Sequence, residues 1–172
     1  MSYRRYRRYG RGDNRAAVVV LAFLGVLMAS GTAKGVTHHG AAPVVVTDAA
    51  AMQAISFARA QLGCPYTWGG TGPCGAGFDC SGLMQMAYAS AGVTISRTSE
   101  EQWANLPHVS SPQPGDLVFF PGGDGTWSSP GHVAIVISAT QMIQAYGRGF
   151  PIEVSPLNGD GAGGIVGYAR PS

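Results

Sequence analysis

The stretch GFDCSGL, residues 77–83, carries Cys80, one of three cysteines in a chain of 172 residues. Asp79 precedes it, Ser81 and Gly82 follow, and an apolar periodic run begins at Leu83. That pattern predicts a helix starting at Asp79 or Cys80. A thiol placed there faces unpaired N–H groups and the positive end of the helix dipole, which lower its pKa and favour the thiolate. The same N–H groups can receive an oxyanion on the carbonyl that the sulfur attacks. The chemistry implied is nucleophilic catalysis, and it needs a base. His132 opens the run HVAIVIS and can reach across to the helix start. A third group should hold the ring in one tautomer, and Gln144 lies twelve residues on (132 to 144), across a hairpin turning at 139–141. Taken singly, each has a plainer reading. A lone cysteine is more often a small buried apolar residue, a lone histidine a surface or structural one, and Gln144 alone is unremarkable.

Three cysteines is an odd number, so in an oxidising compartment at least one stays unpaired or pairs between chains. The pairings 64–74, 64–80 and 74–80 are all open. Cys64 and Cys74 stand at the two ends of one loop, a feasible closure that would leave Cys80 free; both could also be reduced. A zinc site from Cys64, Cys74, Cys80 and His132 is conceivable but lacks any C-x-x-C spacing, so no metal or other cofactor is expected.

These residues need a scaffold. Asp48–Leu62 reads as a helix, capped by Thr47 or Asp48, with a stripe of Met52, Ile55, Phe57, Ala58 and Leu62. A loop rich in Gly and Pro follows, then the Cys80 helix to about Ala91, with Leu83, Met84, Met86, Ala87 and Tyr88 on its buried side. Thr98 or Ser99 followed by Glu101 or Gln102 resembles a capping box. After PQPGD the period changes to short β-branched or aromatic runs at 116–120, 132–138, 141–146, 152–156 and 165–169. Helices first and strands afterwards predict an α+β fold, with helices packed on one antiparallel sheet of about five strands. GGDGTWSSPG (122–131) is a long glycine-rich loop of the kind that often serves function.

The ends of the chain differ in charge. Residues 1–15 hold six arginines and one acid, which leaves five basic and eight acidic residues in the remainder. A mildly acidic body argues against a nucleic-acid-binding domain. Residues 16–33 carry no charge, and arginines before an apolar run are a positive-inside signal. The strongly apolar part, 16–29, is shorter than the roughly 20 residues of a membrane-spanning helix. It reads as a signal peptide or a short N-terminal membrane anchor, with residues 1–15 cytoplasmic and the body exported. The plainer alternative is a buried helix with an arginine-rich RNA-binding tail. Residues 34–47 read as a linker, in which His38 and His39 have no assigned role, and 48–172 as the domain.

The run AQLGCPYTWGGTGPCGAGFDCSGLMQMAYASAGVTISRTSEEQW, then PQPGDLVFF, then PGHVAIVISATQMIQAY, resembles the NlpC-type cell-wall peptidases over about residues 50–170. The resemblance implies a papain-like cysteine endopeptidase acting on the stem peptides of bacterial peptidoglycan. It implies Cys80 as nucleophile, His132 as base and Gln144 as the polar third residue, where the family most often has His. It places Tyr66 and Trp68 on the site wall, the Tyr66 hydroxyl at the oxyanion hole, and Arg97 along the cleft. Asp79 and Ser81 would help hold the free amine of the stem peptide. The bond usually cut in the family joins D-γ-glutamate to the diamino acid. The alternatives are an amidase of the related CHAP kind and a catalytically weak wall-binding module of the same fold. Action on the wall agrees with an extracytoplasmic body, secreted or anchored.

Overall fold

The computed structural model of the chain describes residues 45–158 and 163–172. The basic tail, the apolar segment 16–33 and the linker as far as residue 44 lie outside the described residues. Among the described residues no helix is long and apolar enough to cross a membrane.

Helix α1 is Val45–Ala60, α2 is Cys80–Ser90 and α3 is Ser99–Asn105. The first starts earlier than the sequence predicts, so the last linker residues are helical. No Gly or Pro occurs between Val45 and Ala60, so nothing in that stretch breaks the helix. Its buried stripe is Ala54, Ile55 and Ala58; Met52 and Leu62 are exposed. Asp79 caps α2 by accepting from Gly82 N at 2.6 Å. Thr98 and Glu101 form the reciprocal capping box of α3.

The strands are β1 (His108–Val109), β2 (Leu117–Phe120), β3 (His132–Ser138), β4 (Gln141–Gln144), β5 (Glu153–Pro156) and β6 (Gly167–Ala169). They form one six-stranded antiparallel sheet in the order β1-β6-β2-β3-β4-β5. The α+β class stands; the strand beyond the five expected is β1, two residues long, paired to β6.

Alternation along the strands divides the sheet into two faces. Leu117, Phe119, Val133, Ile135 and Ile143 pack with α1 and with Leu83, Met84, Ala87 and Tyr88 of α2. Val118, Phe120, Ala134, Val136 and Met142 form a second cluster on the other face. Leu83, Leu117 and Ile135 are wholly buried, each contributing roughly 1.5–3 kcal/mol by leaving water. The PGD turn before β2 locks these layers. Gly115 has φ +100°, and a Cβ there would lie 2.3 Å from that of Ala51 in α1. Its carbonyl accepts from the Tyr88 hydroxyl. Asp116 accepts from Arg170 through Nε at 2.7 Å and Nη2 at 2.8 Å, tying β6 to the turn.

Candidate active site

The start of α2 is where the loop, the helix and the sheet meet. A Cβ on Gly82 would stand 2.2 Å from the Gly70 carbonyl, so only glycine lets the loop come this close. Asp79 N donates to that carbonyl at 3.0 Å, and Thr67 N donates to Phe78 O at 3.0 Å. The loop is closed by a bond between Cys64 and Cys74, whose Cα atoms are 5.1 Å apart. Cys80 is the free cysteine. The bridge engages two of the four side chains that a zinc site would have needed.

A cavity of about 910 Å³ opens over Cys80. Tyr66, Trp68, Asp79, Ser81, Arg97 and His132 all line it, so the structure brings these sequence-predicted residues to one place. Gln144 stands behind His132, and Cys64 and Cys74 brace the loop from outside the cavity wall. The glycine-rich loop supplies a further wall through Gly122, Gly123, Asp124 and Gly131. Glu100, Tyr146 and Arg148, which no sequence pattern singles out, also line the cavity.

The Cys80 side chain is 8% exposed. Its Sγ donates to the Gly131 carbonyl at 3.9 Å, one residue before His132. Burial pushes the thiol up to about 11, and the Asp79 carboxylate beside it pushes the same way. The N–H groups of Val133, Ser81 and Cys80 pull against this without prevailing. This corrects the expectation of a lowered thiol pKa: the helix start is present, but desolvation outweighs it. The resting group is a thiol, and ionisation must be coupled to a base.

His132 is also buried, between the rings of Phe120 and Tyr146, with centroids at 5.7 and 5.9 Å. Burial holds its pKa below the ordinary 6.5, although the Gln144 hydrogen bond works in the opposite direction. Nε2 lies 2.9 Å from Gln144 Oε1. An amide oxygen only accepts, so Nε2 carries the proton and Nδ1 keeps its lone pair. Gln144 Nε2 in turn donates to Ser155 Oγ at 2.9 Å. Cross-strand pairing explains the meeting, because Val136 faces Met142 and the same side recurs every second residue, at His132 and at Gln144.

Asp79 is more heavily engaged than expected. Its Oδ1 accepts from Gly82 N, from Ser81 Oγ at 3.3 Å and from Arg97 Nη1 at 3.0 Å. Its Oδ2 accepts from Gly69 N at 2.9 Å and Arg97 Nη2 at 2.7 Å. Arg97 is therefore a partner of Asp79 rather than a solvated surface charge, and this hydrogen bonding raises its pKa. Burial, with Cys80 and Asp79 nearby, raises Tyr66 to about 12, so its hydroxyl remains a donor. Trp68 is 67% exposed at the rim.

A buried thiol, a tautomer-fixed imidazole and a donor hydroxyl around one cavity can transfer an acyl group through sulfur. Residues 63–164, more than half of the chain, match the NlpC/P60 family. The probable endopeptidase p60 of Listeria monocytogenes is 40% identical over 119 residues, covering 67% of this chain and 23% of the relative. The peptidoglycan endopeptidase RipB of Mycobacterium tuberculosis is 35% identical over 129 residues, 65% of this chain and 52% of the relative. The bifunctional muramidase/DL-endopeptidase CwlT of Bacillus subtilis is 42% identical over 89 residues, 51% of this chain and 26% of the relative. The chain thus spans from under a quarter to just over half of these relatives' lengths. The solved structure of the peptidoglycan hydrolase RipB superposes with a TM-score of 0.61 at 32% identity, covering 75% of this chain and 68% of that one. With residues 63–164 matching the family model and that fold shared, this chain belongs to the NlpC/P60 family.

Proposed function

We propose that the domain, residues 48–172, is a peptidoglycan hydrolase: a cysteine endopeptidase that cuts stem peptides at the D-γ-glutamyl–diamino acid bond. The observation that carries this reading is the free Cys80, which lines one cavity with His132, its Sγ on the carbonyl of the preceding Gly131 and the His132 Nε2 held by Gln144. The names of p60, RipB and CwlT favour the same substrate class.

His132 Nδ1 takes the thiol proton as Sγ attacks the scissile carbonyl. The thiol does not ionise beforehand, because its raised pKa keeps it protonated at neutral pH. The tetrahedral oxyanion is met by N–H groups at the start of α2 and by the Tyr66 hydroxyl. The imidazolium returns the proton to the leaving amine, and water resolves the thioester with His132 again as base. Gln144 carries no charge, so it fixes the ring without neutralising the imidazolium. Arg97 neutralises Asp79 and keeps Ser81 in place, at 3.0 Å from Nη1. With Asp79 so engaged, Ser81 and Glu100 are the groups on that wall to meet the free amine of a stem peptide.

The wall lies outside the cytoplasmic membrane, so the domain acts there, and segment 16–33 exports it as signal peptide or anchor. Digestion of purified peptidoglycan with the full chain, followed by mass spectrometry, tests the reading. Release of L-Ala–D-Glu ends is expected, and Cys80→Ser should abolish it. Free lactyl ends would assign an amidase instead, and no release would assign a wall-binding module. Fractionation with N-terminal sequencing tests the export.

A further inference from the structure

Beyond Gln144 the hydrogen bonds continue. Gln144 Nε2 donates to Ser155 Oγ at 2.9 Å, and Ser155 Oγ donates to Glu153 Oε1 at 3.1 Å. The sheet builds this row. Gln144 pairs with Glu153 and Met142 with Ser155 across β4 and β5, so all four side chains share the His132 face. His132, Gln144 and Ser155 are buried, and half-buried Glu153 ends the row toward solvent.

The direction of such a row is fixed only if one end cannot change role. A hydroxyl donates or accepts, and an amide can turn end for end. A neutral imidazole can carry its proton on either nitrogen. Were the row to run backwards, Ser155 would donate to the Gln144 oxygen. The Gln144 amino group would then donate to His132 Nε2, and the ring proton would sit on Nδ1, the nitrogen that the proposed mechanism needs free. That histidine could not accept the thiol proton. A carboxylate only accepts. With Glu153 beside it, Ser155 must donate outward, so its oxygen takes the Gln144 N–H and the Gln144 oxygen faces the ring.

We propose that Glu153 and Ser155 are positioning residues, and that the Glu153 carboxylate sets the His132 tautomer through Ser155 and Gln144. The inference rests on the reading of Cys80 and His132 as the reacting pair, but its test does not. In the ¹⁵N-labelled full chain at pH 7.5, long-range proton–nitrogen spectra read the tautomer of His132 directly, assigned by its loss in His132→Gln. The wild type should show an Nε2–H ring. Glu153→Gln keeps the shape but offers an amino group to Ser155, so the row can reverse. The two ring-nitrogen shifts should then move toward each other as the second tautomer is populated. Ser155→Ala, which removes the link, should do the same. In peptidoglycan digestion both variants should lose about tenfold or more in kcat with KM unchanged. A wild-type Nδ1–H ring, or ring shifts unmoved by Glu153→Gln, overturns the proposal. A fixed Nε2–H tautomer that responds to Glu153→Gln in a chain that hydrolyses nothing would uphold it and sink the hydrolase reading instead.

Discussion

Arg97 grips both oxygens of Asp79, at 3.0 and 2.7 Å, one residue before the cysteine that faces the cavity. The pair is partly shielded, with the Arg97 side chain 33% and Asp79 11% exposed. Its geometry is bidentate, the arrangement in which arginine outperforms lysine. Removing the guanidinium leaves a nearly buried carboxylate held only by two backbone N–H groups and the Ser81 hydroxyl. Arg97→Ala should lower stability by about 1–3 kcal/mol. It should also push the Cys80 thiol still higher, because Asp79 would act on it uncompensated. Thermal unfolding and pH-dependent alkylation of Cys80 read the two effects separately.

The raised thiol and lowered imidazole fix the sign of the pH dependence. Burial, with Asp79 beside it, pushes the Cys80 thiol up to about 11. Alkylation by iodoacetamide should therefore accelerate about tenfold per pH unit from 7 to 10, following the thiolate fraction. A rate already maximal at pH 6 would contradict a protonated resting thiol. Hydrolysis behaves differently, because His132 supplies the base. Its pKa lies below 6.5, so kcat/KM should hold through neutrality and fall only on the acid side of 6.5.

Gln144 is an orienter that an imidazole could replace. Gln144→Ala should cut kcat by about 10²-fold or more, since it frees the tautomer and leaves a buried ring nitrogen unpaired. Gln144→His should retain most of the activity, because a ring nitrogen can accept from Nε2. Steady-state kinetics on a soluble stem-peptide fragment distinguishes them.

The Cys64–Cys74 bridge closes the loop that carries Tyr66 and Trp68. Replacing both cysteines by serine should cost about 2–3 kcal/mol of stability by the loop-closure argument. Substrate affinity should weaken with it, measurable as a higher KM. Gly82→Ala should be harsher at the site itself. Its new methyl would press on the Gly70 carbonyl and pry the loop from the start of α2. Both lowered thermal stability and lost hydrolysis are expected, whereas a fully active Gly82→Ala would show that the loop can give way.

Much of this was written locally in the sequence. The α2 cap, the capping box at Thr98 and the turn between β3 and β4 each depend on a few adjacent residue types, and each formed. Strand β1 was not legible, since His108–Val109 is too short to show alternation and exists through its pairing with β6. The start of α1 was misplaced because a capping residue can equally sit inside a helix. The thiol pKa is not legible there for a different reason. A helix start is visible in DCSG, but the desolvation of the sulfur depends on how loop, helix and sheet converge on it. The roles of Ser155 and Glu153 are not legible because their relation to His132 passes through two strand pairings, and neither stands near a recognisable motif.

The protonated state of Cys80 has a consequence for durability. Peroxide attacks thiolates, and the ladder from sulfenic to sulfonic acid begins there. A sulfur held near 11 offers almost no thiolate at neutral pH, so the protein idles as a poor target for oxidants and becomes vulnerable only during the brief interval when His132 is drawing the proton away.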